Sequence, residues 1–244
     1  MVQLSNGFSG FSVLTLKSKH YFIAGTDTDV GKTLIACGIL RAAANLGLKT
    51  LAIKPVAAGA EQTSEGLRNS DAVMLIKAMT ESLPYAQVNP VLLAPPIAPH
   101  IAADQAGRRL SVSQLAGFCR GVMMRKADLV LIEGAGGWRV PLNQREMLSG
   151  LAIELQIPVI LVVGMKLGCI SHALLTAEAI KADGLTLAGW VANQIDPEMA
   201  CFDENFASLT SLLPAPCLGL VPYMHSIDDG DVSIAQYLQL SVLA

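Results

Sequence analysis

Short apolar, β-rich runs recur along this chain, at Tyr21–Ala24, Thr50–Lys54, Val91–Leu93, Leu129–Glu133, Val159–Val163, Leu187–Asn193 and Leu218–Val221. Between most of them lie segments of good helix formers: Thr33–Leu46, Asp71–Met79, Val112–Lys126, Glu146–Leu155, Ser171–Ala182 and Cys201–Leu212. Near-continuous apolar runs mark strands buried on both faces, and parallel strands need a crossover between them. The alternation therefore predicts an α/β fold, with a mostly parallel seven-stranded sheet covered by helices on both faces through right-handed crossovers. Ligands of such a sheet gather beyond the carboxyl ends of its strands. Hydrophobic residues make up 52% of 244, enough for one large core, and no internal repeat or linker divides the chain. Residues 19–244 read as one domain behind an N-terminal extension, 1–18, which lacks the charged start and compact apolar stretch of a secretory signal.

Between the first run and the first helical segment stands GTDTDVGKT, from Gly25 to Thr33. At a strand-to-helix junction, successive backbone N–H groups can surround phosphate oxygens, a lysine can reach the β and γ phosphates, and a hydroxyl can ligate Mg²⁺. Gly31, Lys32 and Thr33 supply these parts, so the stretch reads as a phosphate-binding P-loop of the NTPase type. Its register is irregular. The G-x-x-x-x-G-K-[ST] pattern places its first glycine where Thr26 stands, and Gly25 lies one residue earlier. The helix after it should stop at Gly47.

Charge narrows the ligand. A formal net charge of −3 comes without a basic cluster or an aromatic and arginine stripe, so neither nucleic acid nor an anionic membrane is expected as a partner, and small molecules are. A long uncharged window begins at Ser82 and runs up to Asp104, but Pro84, Pro90, Pro95, Pro96 and Pro99 interrupt it, so no membrane span is expected. Five scattered cysteines, Cys37, Cys119, Cys169, Cys201 and Cys217, form no metal-binding spacing and suit reduced, mostly buried thiols in a cytoplasmic protein.

Three polar residues follow strands or turns where a site needs them. Lys54 ends LAI, Asp71 follows the GLRNS turn, and Glu133 closes LVLIE ahead of Gly134-Ala135-Gly136-Gly137. Asp71 suits either a helix cap or a magnesium ligand; Glu133 puts a carboxylate at a sheet end beside backbone able to approach phosphate or metal.

Taken together, GTDTDVGKT, KPVAAG, EGLRNSDA, EGAGGW, PVILVVGMKLGCISHALLT and LAGWVAN, in this order from Tyr21 to Tyr223, resemble the dethiobiotin synthetases. EGAGGW and the KLGC block are far more specific than a P-loop. The resemblance implies conversion of 7,8-diaminononanoate, CO₂ and ATP into dethiobiotin, ADP and phosphate with Mg²⁺, through a carbamate and a carbamic-phosphoric anhydride. It implies Lys54, Lys32 and Thr28 as catalytic groups and Thr33, Asp71 and Glu133 as metal ligands. The nucleotide falls on Asp29, Val30, Gly31, Lys32, Thr33, Leu34, Asp71, Glu133, Gly134, Ala135 and Gly136, with adenine at Asn193, Gln194, Pro222, Tyr223, Met224 and Asp229. Substrate falls on Lys54 and Ala58, with its carboxylate at the helix start Gly168, Cys169, Ile170 and Ser171 of a neighbouring subunit, which makes a homodimer necessary. In that helix Ser171 is the natural cap, and His172 reads as a packing residue. Three positions depart from relatives: Ala58 and Ser171 stand where they tend to have Ser and Asn, and Asn205 where they have Tyr.

Two other readings remain on the same fold. A partitioning-type ATPase switch carries a lysine five positions before the P-loop lysine, where this chain has Asp27. A glutamine-using amide synthetase would need an added glutaminase domain with a Cys–His pair, and the stretch after Val221 reads as too short to carry one.

Overall fold

The computed structural model describes residues 15–224 and 232–243. In chain order, β1 (His20–Gly25) leads to α1 (Lys32–Asn45) and β2 (Thr50–Ile53), and the short strands β3 (Val56–Ala58), β4 (Glu61–Thr63) and β5 (Gly66–Arg68) precede α2 (Ser70–Ala78). There follow α3 (Tyr85–Val88), β6 (Val91–Leu93), α4 (Pro99–Gln105), α5 (Val112–Met123), β7 (Leu129–Glu133) and α6 (Ser149–Leu155). Then come β8 (Val159–Met165), α7 (Cys169–Ala182), β9 (Leu187–Gln194), α8 (Phe202–Leu212) and β10 (Cys217–Val221), with 3₁₀ turns at Val232–Tyr237 and Leu240–Leu243.

The α/β architecture expected from the alternation is present. Six strands form the main sheet in the order β10-β9-β8-β1-β7-β2, every pairing parallel. The seventh expected strand, β6, forms but pairs in parallel with β3 in a separate ladder, Val56 against Val91 through Ala58 against Leu93. Pro55 explains the departure. It has no N–H for a ladder, so the chain leaves the main sheet at Lys54, whose own N–H turns to Val88 O at 2.7 Å.

Successive residues of the central strands alternate between two core layers. Phe22, Ala24, Val130 and Ile132 face a core shared with Leu115, Leu151 and Ala173 of α5, α6 and α7. Tyr21, Ile23, Leu129 and Leu131 face one filled by Ile35 and Ile39 of α1. Strands buried on both faces at period two are what near-continuous apolar runs encode. α1 stops where expected: Gly47, at φ 79°, donates to Ala44 O and Leu48 to Ala43 O, the paired bonds of a Schellman end. Cys37, Cys119 and Cys169 are core residues.

Of the expected extension, residues 1–14 lie outside the described residues, while Lys17 and Ser18 already belong to the body. Lys17 N donates to Leu243 O at 2.8 Å, and Ser18 N to the Tyr21 hydroxyl at 3.3 Å. The C-terminal turns pack over β10, where a Cβ on Gly219 would fall on the backbone oxygen of Tyr237. A rigid carbonyl cannot yield as a side chain can, so Gly219→Ala is expected to destabilise the fold by about 1–3 kcal/mol in urea denaturation. An unchanged midpoint would show that these turns are not held against β10.

Consecutive strands β7 and β8 flank β1 on opposite sides. The loops after all three strands therefore meet at one end of the sheet.

Candidate active site

The loop after β1 reaches α1 through two residues in the left-handed region, Asp29 at φ 57° and Gly31 at φ 84°. α1 begins with neither a side-chain cap nor an acidic residue in its first turn, so its positive end and free N–H groups are left to an anion. Lys32, buried, folds back to donate to Asp27 O at 2.9 Å. Thr26, the off-register residue, fastens the loop to β8: its N–H donates to Val162 O at 3.0 Å and its Oγ1 accepts from Gly164 N at 3.4 Å.

Beneath the loop lies a buried charge cluster. Lys54 Nζ contacts Glu133 Oε1 at 2.5 Å, Asp71 Oδ2 at 2.9 Å and Gly134 O at 3.1 Å, and Thr33 Oγ1 donates to the same Glu133 Oε1 at 2.7 Å. Side-chain exposure is 4% for Lys54 and 0% for Glu133. Burial alone would pull the Lys54 ammonium down, but Glu133 and Asp71 outweigh it and hold the pKa above the usual lysine value. For Asp71, burial pushes up and Lys54 more than reverses it, leaving the carboxyl below its usual range. Lys32 has no such carboxylate partner among the described residues. Burial first, then repulsion from Lys54, lowers it to about 8.

Glu133 Oε2 is buried without a hydrogen-bond partner. With both protein donors on Oε1, Oε2 is left for a cation, and the Thr33 hydroxyl and Asp71 carboxylate add two more hard oxygens. No group of three or more His, Cys, Asp or Glu suited to a metal occurs among the described residues. Two carboxylates and a hydroxyl fit Mg²⁺, which keeps waters and shares substrate phosphates rather than entering an all-protein cage.

The remaining expected residues fall around this cluster, with corrections. Asn69, not Asp71, caps α2, accepting from Ala72 N at 3.3 Å; its amide also donates to Gly59 O at 2.9 Å, beside Ala58 at the end of β3. Asp71 is thereby free to turn to Lys54. Exposed Thr28 faces the glycine loop after β7, since a Cβ on Gly136 would lie 3.5 Å from its Oγ1. Gly134 is pressed against Phe22, whose ring carbon would lie 3.0 Å from an added Cβ, and Ala135 is half-buried beside it. Leu34 is buried in the core under α1.

Asn193, 4% exposed, donates from Nδ2 to Val30 O at 2.9 Å, so its amide supports the P-loop from behind. Gln194 Oε1 accepts from Tyr223 N at 3.3 Å, which draws the Pro222-Tyr223-Met224 turn against the end of β9. Asp229 lies outside the described residues.

Ser171 does not cap α7. Gly168 holds the N-cap position at φ 94° with no side-chain bond, Cys169 is buried, Ile170 is half-buried, and Ser171 is the exposed third residue of the helix. Glycine reaches this left-handed conformation without a Cβ clash; Cys169 N donates back to Lys166 O at 3.0 Å, and no side chain caps the first turn. His172 is exposed rather than packed within the chain.

Sequence reasoning missed one link. Lys166, directly after β8, pairs with Asp27 Oδ2 at 3.2 Å, while Thr28 N donates to Asp27 Oδ1 at 2.8 Å. The Thr28 N–H first, then Lys166, hold the Asp27 carboxyl below its usual range. The P-loop is thus joined to the segment that starts α7. A lysine ending an apolar run is the only local signal for it.

Comparison with known proteins follows the same geometry. A family model described as an AAA domain matches residues 19–230. The septum site-determining protein MinD of Pyrococcus horikoshii, complexed with Mg-ADP, shares the fold at a TM-score of 0.54 and 16% identity, with 92% of this chain and 94% of that one covered. MinD of Aquifex aeolicus gives a TM-score of 0.56 at 15% identity, over 93% and 95% of the two chains. At such identities the likeness is one of fold. Sequence relatives decide the family. The ATP-dependent dethiobiotin synthetase BioD of Cellvibrio japonicus is 57% identical over 228 residues, 93% of this chain and 99% of that protein. That of Marinobacter nauticus is 52% identical over 230 residues, 93% and 98%. With its P-loop, its strand-end Lys54 and Glu133 and near-full-length identity of this degree, the chain belongs to the dethiobiotin synthetase family of ATP-dependent ligases.

Proposed function

We propose that this site closes a ureido ring on 7,8-diaminononanoate, consuming CO₂ and ATP and releasing dethiobiotin, ADP and phosphate. The observation that carries the reading is the buried Lys54, fixed by Glu133 and Asp71 beneath a P-loop whose own Lys32 is a second cation. One substrate amine adds to CO₂ and loses a proton, giving a carbamate. A carbamate oxygen attacks the γ-phosphorus and ADP leaves; the second amine then attacks the carbonyl carbon and phosphate leaves. No protein nucleophile takes part. Lys32 and Lys54 offset the negative charge that grows on the γ-phosphoryl and carbamate oxygens, and the uncapped start of α1 cradles the β-phosphate. Thr28, facing the glycine loop, flanks the transferred group. Mg²⁺ held by Thr33, Asp71 and Glu133 would neutralise charge on the β and γ oxygens. We assign the adenine base to Asn193, Gln194 and the 222–224 turn, which Gln194 Oε1 holds by accepting from Tyr223 N.

The substrate's carboxylate is assigned to the uncapped start of α7, at Gly168, Cys169, Ile170 and Ser171, of a second copy. Leu167, just before that helix, and Leu175, its seventh residue, are 90% and 62% exposed and offer apolar surface for a homodimer. No helix among the described residues is long and apolar enough to cross a membrane, and we place the reaction in the cytoplasm.

Purified protein with ATP, Mg²⁺, bicarbonate and the 7,8-diamine should form one ureido product per ADP. Diamine-independent hydrolysis stimulated by lipid or protein would overturn the reading in favour of a switch ATPase.

Lys32 supplies a pH test. Its pKa of about 8 is free to rise when phosphate oxygens arrive, so bound nucleotide favours the protonated form. ATP binding should therefore take up protons at pH 8 to 9, and affinity should fall as pH rises above 8. Calorimetry in buffers of different ionisation enthalpy measures the uptake; none at pH 8.5 would contradict the placement of Lys32 on phosphate (the pH being chosen about half a unit above that value).

A further inference from the structure

The apex of the P-loop is gripped from three strands. The Val30 side chain, fully buried, is wedged between two glycines: a Cβ on Gly25 of β1 would lie 2.7 Å from Val30 Cγ2, and one on Gly164 of β8 would lie 2.7 Å from its Cγ1. The Val30 carbonyl is held by the third strand, β9, through Asn193 Nδ2 at 2.9 Å. A carbonyl accepts only, so the amide must turn its nitrogen toward the loop. Gly31 lies against that same nitrogen, which any Cβ at this position would strike.

One planar peptide unit joins the Val30 carbonyl to the Gly31 N–H, and in a trans peptide the two point in opposite directions. Anchoring the carbonyl on Asn193 therefore points the N–H the opposite way within that plane, away from the Asn193 amide. We propose that Asn193 is a positioning residue for phosphate: it sets the orientation of the Val30–Gly31 peptide and so aims the Gly31 N–H into the phosphate cradle. This rests on the reading that the loop holds the nucleotide's phosphates. It adds to that reading a residue about 160 positions away, whose contact acts on phosphate whatever base is attached (separation 163).

The test uses a ligand with no base. Inorganic tripolyphosphate with Mg²⁺ is titrated into the full chain by calorimetry, comparing wild type with Asn193→Ala and with Asn193→Asp, which keeps the shape and loses the donor. Binding should weaken about tenfold in both, the scale of one lost buried hydrogen bond, with GTP weakened by a similar factor and ATP by at least as much. Far-UV circular dichroism and melting without ligand verify the fold. Should the alanine variant fail to fold, Gly31→Ala breaks the contact from the other side and is expected to weaken tripolyphosphate as well. Unchanged tripolyphosphate affinity, or weakening confined to adenine nucleotides, overturns the proposal. Lys32→Ala separates the two readings: if wild type itself does not bind tripolyphosphate, or Lys32→Ala binds it as wild type does, the phosphate reading falls first.

Discussion

Lys54→Ala is expected to lower kcat by about a thousandfold, because a preorganised cation in a dry site is worth more than one in water. The KM for ATP should change less, since the P-loop and Lys32 remain. The same substitution leaves Glu133 buried and Asp71 half-buried without their counter-ion, and breaking one partner of a buried pair costs about 3–5 kcal/mol. Loss of fold and loss of chemistry must therefore be separated, by single-turnover rates well below the melting temperature and by a Lys54→Met comparison that keeps most of the side-chain volume. Lys32→Ala should lose kcat to a similar degree together with ATP affinity, and Ser171→Ala should cost far less than either. Near-normal turnover in Lys54→Ala would remove Lys54 from the mechanism.

Glu133→Gln is expected to lower kcat by about a hundredfold or more and to raise the Mg²⁺ concentration needed for half-maximal rate. Its amide keeps the shape and can still accept from Thr33 and Lys54 on one oxygen, and Lys54 keeps Asp71, so the fold should tolerate the change better than Lys54→Ala. What is lost is the charge and the oxygen that has no protein partner. A magnesium titration of the steady-state rate is the measurement. A wild-type magnesium requirement in this variant would sink the assignment of Glu133 to the metal.

Much of this was legible in the chain because the relevant signals are local. Gly31, Lys32 and Thr33 adjoin one another, and Glu133 closes an apolar run, so strand, turn and functional group are read together. Contacts made across the fold were not. Lys166 and Asp27 lie 139 positions apart, and only the adjacency of β1 and β8 joins them. Rotamer and backbone choices were also hidden: Asn69 and Asp71 both suit a cap, and the one that wins leaves the other for Lys54. At α7 a serine in the first turn suggested a side-chain cap, but Gly168 turns the chain into the helix by its own conformational freedom. β6 reads as a main-sheet strand by composition, but its partner β3 leaves the main sheet at Pro55 and takes β6 into a separate ladder.

The C-terminal turns carry a consequence for association between molecules. β10 ends the main sheet, and a terminal strand of bare N–H and C=O groups is a template on which other chains aggregate. Here Gly219 forms an antiparallel bridge with Leu238, and Gln239 N donates to Leu218 O at 2.8 Å, so residues 238 and 239 occupy that template. At the opposite border Glu81 N donates to Thr50 O at 3.2 Å and Lys54 N to Val88 O, which blocks β2 in the same way. A sheet closed on both sides by its own chain can associate through helices such as α7 without growing strand by strand.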